Sequence, residues 1–175
     1  MTLLADIVRN LRRHPLAFVL VLAAWTCAFV RVFLDPTPRT PLLFNVTPSL
    51  PYTVAWLQSR PTAFARGDFI VFAFDGEARQ RYPGLARQPF FKIVRGVAGD
   101  RITVHDRHVF INGTDVGVAK AHTFDGWQLD AVDETVIPPG HYYVQGTSPD
   151  SFDSRYRASG LVRADHILGR VRPLF

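Results

Sequence analysis

Fifteen consecutive residues from Leu16 to Val30, LAFVLVLAAWTCAFV, carry no charge, and the apolar run resumes after Arg31 as Val32-Phe33-Leu34. Such a segment is stable only out of water. Pro15 stands where a helix accepts proline, in its first turn. The 19 positions from Leu16 to Leu34, at 1.5 Å each, reach about 28 Å, close to the hydrocarbon thickness of a bilayer. The pattern predicts a transmembrane helix over 15–34, with Arg31 snorkelling to the far interface. A cleaved signal peptide fits less well, because no Ala-x-Ala pair follows the run. The residues before Cys27 (Ala24-Trp25-Thr26) also lack the leucine of a lipoprotein cleavage site. Arg9, Arg12 and Arg13 before the span outweigh the charges just after it (Arg31, Asp35, Arg39). Residues 1–14 are therefore expected in the cytoplasm and everything beyond Leu34 outside it.

Asp35-Pro36-Thr37-Pro38-Arg39-Thr40-Pro41 follows, and its prolines block helix and sheet, so 35–41 reads as a semi-rigid linker. The remainder, 42–175, has the length of one ordinary domain. Its apolar runs are short, β-branched and aromatic, and Gly, Pro, Asn and Asp punctuate them. They cover residues 68–74, 90–94, 101–104, 108–111, 142–144 and 167–171. A mainly β domain is expected, with no sustained helical periodicity after the anchor. The single Cys27 excludes an intramolecular disulfide framework and a thiolate zinc site. A net charge of +5, with arginines scattered among acids, makes no nucleic-acid stripe. An anionic membrane surface is an equal candidate partner for the net positive charge.

Glycine-rich nucleotide loops and paired-cysteine metal spacings are absent, so neither cofactor nor metal is expected. His105 and His108 flank Asp106-Arg107 between two strand-like runs and read as a hairpin turn rather than a metal pair. Asn45-Val46-Thr47 and Asn112-Gly113-Thr114 match the glycosylation acceptor pattern, which is short enough to recur by chance.

Three segments can carry chemistry. The chain has 18 Arg and only two Lys, and Lys92 lies inside Phe90-Phe91-Lys92-Ile93-Val94. Desolvation can strip a lysine of its proton but not an arginine, so Lys92 is either a general base or a solvated residue on the polar face of a strand. In Asn45-Val46-Thr47-Pro48-Ser49-Leu50-Pro51 two prolines bracket Ser49. That loop either begins the first strand or presents a nucleophile, with the Thr47 hydroxyl and the Ser49 amide as donors to an oxyanion. Gly146 to Tyr156 packs Ser151, Asp153, Ser154 and Arg155 into one polar turn. There Asp153 and Arg155 can pair, and Ser151 or Ser154 can orient an amine.

Taken in this order, the segments resemble the type I signal peptidase family, membrane-anchored serine proteases with a Ser/Lys dyad. Ser49-Leu50-Pro51 is similar to the nucleophile box, Gly67-Asp68-Phe69-Ile70-Val71 to the strand box, and Lys92 through Gly99-Asp100 to the lysine box. Val109-Phe110-Ile111-Asn112-Gly113 is similar to the family's hairpin, and Ser151 through Tyr156 with Gly169-Arg170 to its last box. Within the family, the Asn-x-Thr lead-in and the Pro173-Leu174-Phe175 end look most like the TraF-type peptidases of conjugative transfer. The chain departs from the pattern at Ala98, at Gly146-Thr147-Ser148 and at Arg157-Ala158-Ser159-Gly160, and it has one anchor rather than two.

The resemblance implies a compact signal-peptidase-like β domain behind one transmembrane helix of a bacterial inner membrane, with its site on the periplasmic side. It implies Ser49 as nucleophile, Lys92 as general base, Thr47 and the Ser49 amide as oxyanion donors, Ser151 as the hydroxyl that orients the lysine, and Asp153 and Arg155 as structural. The implied substrate is a precursor protein, a pro-pilin or a secreted preprotein. Small residues before its cut would fit a groove framed by residues 47–51 and the strands of Phe69 and Phe91. Two other readings remain open. One is a housekeeping signal peptidase of broad range. The other is a non-enzymatic, membrane-anchored assembly factor, which would lack an activated serine.

Overall fold

A computed structural model describes residues 13–30, 38, 41–45, 47–58 and 61–175. The chain divides into two units, Met1–Pro36 and Thr37–Phe175. In the first, helix α1 (Pro15–Phe29) opens with proline in its first turn, and none of its residues is buried. Its 15 residues rise about 22 Å, short of a bilayer's hydrocarbon core of about 30 Å. Among the described residues no helix is long and apolar enough to cross a membrane. The span expected over 15–34 is thus seen only as far as Val30, with 31–34 outside the described residues. Most of the segments 1–14 and 35–41 also lies outside them.

The second unit is mainly β, as the run lengths and β-branched content predict. A seven-stranded antiparallel sheet takes the order β1 (Leu42–Phe44), β2 (Val54–Leu57), β11 (Ile167–Pro173), β3 (Phe69–Ala73), β4 (Pro89–Gly96), β9 (His141–Gln145), β10 (Val162–Arg163). A smaller sheet follows the order β7 (Thr114–Val118), β6 (His108–Ile111), β5 (Arg101–His105), β8 (Thr135–Val136). Two tight hairpins build the smaller one. Asp106 and Arg107 both have positive φ, 45° and 66°, between β5 and β6, so the two histidines are register partners across a turn. Asn112 (φ 51°) and Gly113 (φ 81°) make the next two-residue turn, where a left-handed pair matches the twist of the strands.

Side-chain alternation divides the core. On β9, Tyr142 and Val144 join Ile70, Phe72, Phe74 and Val94 against the large sheet. Tyr143, between them, points the other way into the cluster of Ile102, Val109, Ile111 and Ile137 from the small sheet. One strand therefore serves both cores.

The motif boxes meet in pairs. Asp68, just before β3, accepts from Arg170 of β11 at 2.7 Å. Gly169 is needed beside it, since a Cβ there would stand 2.7 Å from the Gln58 carbonyl. Asp100, past the end of β4, accepts from Arg66 Nε at 3.0 Å, the Val97 amide at 2.8 Å and Asn112 Nδ2 at 2.8 Å. Asn112 Oδ1 accepts the Arg101 amide at 2.9 Å, so both ends of this carboxamide are engaged in the turn.

Candidate active site

Ser49 sits on the connection between β1 and β2, a stretch with two prolines that hydrogen bonds close from several sides. Asn45 Nδ2 donates to the Leu50 and Tyr52 carbonyls at 3.3 and 2.9 Å, and its Oδ1 accepts from the Thr47 amide at 3.3 Å and the Thr47 hydroxyl at 3.0 Å. At the far end of the loop, the Phe175 carbonyl accepts from the Thr53 and Val54 amides at 2.7 and 2.8 Å. Ser49 is 6% exposed, and its Oγ lies 3.0 Å from Thr47 Oγ1.

Lys92 comes from the middle of β4. Strand alternation puts it on the face of Phe90 and Val94, toward the core, and its cross-strand partner is the fully buried Ile70. It is 4% exposed, so the solvated-face reading of its sequence does not describe it. Its Nζ lies 5.4 Å from the Phe90 ring centroid. Burial lowers its pKa from 10.5 to about 8; Asp153 resists that shift and Arg155 adds to it. Arg95 points off the opposite face of the strand and is exposed.

The third segment closes over both. After β9 the backbone turns so that the Thr147 and Ser148 amides donate to the Ser49 carbonyl at 2.9 and 3.3 Å. This clasp uses backbone only, so Thr147 and Ser148 serve it whatever their side chains. Gly146 is required by space, since a Cβ there would stand 2.5 Å from the Ser49 carbonyl and would also strike Ser151 Oγ. A buried ion pair frames the turn: Arg155 Nε and Nη2 donate to the two Asp153 oxygens at 2.9 and 3.0 Å. Asp153 also takes the Gly146 amide at 3.0 Å, and Arg155 reaches the Ser148 and Ser151 carbonyls at 3.1 and 2.9 Å. Ser154 works elsewhere, tying the Val144 amide to the Gly160 carbonyl.

Ser49, Lys92, Thr47 and Ser151 all line one half-open cavity of about 520 Å³. Ser49 Oγ and Lys92 Nζ share it without a direct hydrogen bond, and Ser151 Oγ is buried there with no partner among the described residues. The apolar wall is formed by Ala55, Val71 and Phe91 on one side and by Leu85, Phe90 and Phe152 on the other. The strands of Phe69 and Phe91 reach the cavity through Val71 and Phe91, and Phe69 packs on Phe91 with ring centroids 5.9 Å apart. His105, His141 and His166 do not line the cavity. A serine hydroxyl and a desolvated amine lining one cavity are the groups that acyl transfer uses.

Asn45 was missed as a site residue. Its four hydrogen bonds were hidden behind a glycosylation pattern, although an Asn two residues before a Thr, ahead of a Pro-rich turn, is also a loop-closing arrangement.

A family model described as "Signal peptidase, peptidase S26" matches residues 12–175. A curated relative named conjugal transfer protein TraF, from Agrobacterium tumefaciens (strain 15955), is 30% identical over 146 residues, covering 75% of this chain and 80% of the relative. A second TraF, from Agrobacterium fabrum (strain C58), is 29% identical with the same coverage. A crystal structure of a signal peptidase I from Enterococcus faecalis V583 aligns with 64% of this chain and 98% of its own, at 22% identity and a TM-score of 0.39.

Proposed function

The chain belongs to the signal peptidase (peptidase S26) family, and we propose that it is a membrane-anchored endopeptidase whose Ser49 and Lys92 form a catalytic dyad that matures the pilin precursor of a conjugative transfer system. What carries this reading is one observation: the serine and the lysine, 6% and 4% exposed, share a cavity in which burial holds the lysine at about 8. Neutral Lys92 takes the Ser49 proton as Oγ attacks the scissile carbonyl. Thr47 and the Ser49 amide hold the oxyanion, and Lys92 returns the proton to the leaving amine before water clears the acyl-enzyme. Ser151, whose buried hydroxyl has no partner among the described residues, is the group that turns to orient the amine of Lys92. Asp153 and Arg155 keep the turn that carries Ser151 in place.

The conjugative assignment rests on likeness to the two TraF proteins. The proposed anchor is supported by the apolar α1 and by Arg9, Arg12 and Arg13 before it; on this reading the N-terminus faces the cytoplasm of a bacterium and the peptidase domain its periplasm. The substrate's first and third residues before the cut lie along Ala55, Val71 and Phe91. Small residues fit there, because one surplus methylene in a tight pocket costs about 1–3 kcal/mol.

Cleavage of a pro-pilin by the wild type and by Ser49→Ala and Lys92→Arg tests the dyad: only the wild type should cut. A Lys92→Arg enzyme that is folded and cleaves would refute it. Equal rates on an unrelated secreted precursor with the same Ala pair would argue for a housekeeping peptidase and leave the dyad standing.

A further inference from the structure

The carboxamide of Asn45 can face only one way. Two carbonyls stand on one side of it, Leu50 O at 3.3 Å and Tyr52 O at 2.9 Å, and both require its NH2. Oδ1 therefore turns to the other side, where it meets the Thr47 amide at 3.3 Å and Thr47 Oγ1 at 3.0 Å. The reverse orientation would set donor against donor at Thr47 and acceptor against acceptor at both carbonyls. An amide oxygen only accepts, and a hydroxyl has one proton. The Thr47 proton thus goes to Asn45, so at the 3.0 Å contact between the two hydroxyls Ser49 is the donor and Thr47 the acceptor.

We infer that Asn45 is a positioning residue that keeps the Thr47 hydroxyl proton off the substrate until negative charge develops. The inference rests on the proposed role of Thr47 as an oxyanion donor. In the resting loop Thr47 already spends its proton on a neutral amide oxygen. A ground-state substrate carbonyl is an acceptor of the same kind and offers no gain from a switch. The oxyanion does, because a hydrogen bond to a charged oxygen is about twice as strong as a neutral one. As Ser49 Oγ bonds to the carbonyl carbon, its proton passes to Lys92 and the carbonyl π pair moves onto oxygen. The Thr47 hydroxyl then swings from Asn45 Oδ1 to that oxygen. An interaction made only in the transition state raises kcat rather than tightening substrate binding.

Asn45→Asp keeps the shape but holds the Thr47 proton with a carboxylate and adds negative charge beside the oxyanion. On pro-pilin cleavage it should lower kcat at least tenfold with KM changed less than threefold. In a Thr47→Val background the same substitution should cost several-fold less than in the wild type, what remains being the effect of the added charge. Losses that multiply across the two sites would overturn the inference and leave Asn45 as a loop brace. Melting curves of each variant check that the loop is still folded. Neutron diffraction from deuterium-exchanged wild-type crystals reads the proton directly and needs no activity. Deuterium on Thr47 Oγ1 should point to Asn45 Oδ1; if it points to Ser49 Oγ, the inference fails even where Ser49 and Lys92 prove catalytic. A chain that cuts no precursor contradicts the peptidase reading and takes the positioning role with it.

Discussion

In the proposed reaction Lys92 must be neutral before Ser49 can attack, and its surroundings set the pH at which that happens. With burial holding the group at about 8, kcat/KM should rise along one acid limb whose midpoint lies near that value. The same shift acts on stability. The unfolded lysine, near 10.4, binds its proton more tightly than the folded one, so stability rises with pH between about 8 and 10.4 and the penalty is complete below that window. Lys92→Met should therefore raise the melting temperature at neutral pH while abolishing cleavage; a wild type whose melting temperature does not respond across the window would contradict a desolvated lysine. Thr47→Val should cost about 10²–10³ in rate, the usual scale for one oxyanion donor, and an unchanged rate would move that role elsewhere. Sequence showed part of this. The scarcity of lysine drew attention to position 92, but the inward face of β4 is fixed by pairing with Ile70, which no local pattern contains. For the same reason the cation that presses on Lys92 is Arg155, distant in sequence, rather than the neighbouring Arg95.

The turn from Gly146 to Arg155 is the element that closes on the loop of Ser49 and lines the same cavity as Lys92. It grips the Ser49 carbonyl through two amides, and the buried Asp153 and Arg155 pair grips the turn. Removing one member of a buried ion pair leaves a bare charge and costs about 3–5 kcal/mol. Arg155→Ala should lose stability on that scale in a denaturant titration, and a loss below 1 kcal/mol would show that the pair does not hold the turn. Gly146→Ala should fold but cut slowly, because the added methyl collides with the Ser49 carbonyl and with Ser151; full activity in that variant would mean that the clasp is dispensable. β3, β4, β5, β6, β9 and β11 were readable because β-branched and aromatic residues run between turn formers, whereas the five-residue β7, with Asp115 and Gly117 inside it, was not. The other strands, β1, β2, β8 and β10, are two to four residues long and exist through pairing with distant strands, so local propensity could not reveal them.

For the molecule as a whole, the mainly β body and the order of its motif boxes were legible in the sequence. The boxes of Asp68 and Arg170, and those of Asp100 and Asn112, turn out to be partners that brace the sheets around the site. The helix is the other large feature, with Leu16 and Trp25 both more than two-thirds exposed. Apolar surface of that extent favours lipid. The full chain should stay with the membrane through a high-salt wash, and protease added to spheroplasts should cut beyond Pro41 while sparing Arg9; release by salt or the reverse cleavage pattern would contradict an anchored, periplasmic domain. The proposed dyad is tested most directly by acylation. The full-length enzyme in detergent is treated with a serine-acylating probe across pH 5–10, and the modified peptide is identified by mass spectrometry. The account predicts a single adduct on Ser49, forming along one limb with a midpoint near 8, and no adduct in Lys92→Ala. Acylation of Ser49 that persists undiminished in Lys92→Ala, or a midpoint near 6.5 that vanishes on replacing His105, His141 or His166, as expected of a histidine base, would contradict it.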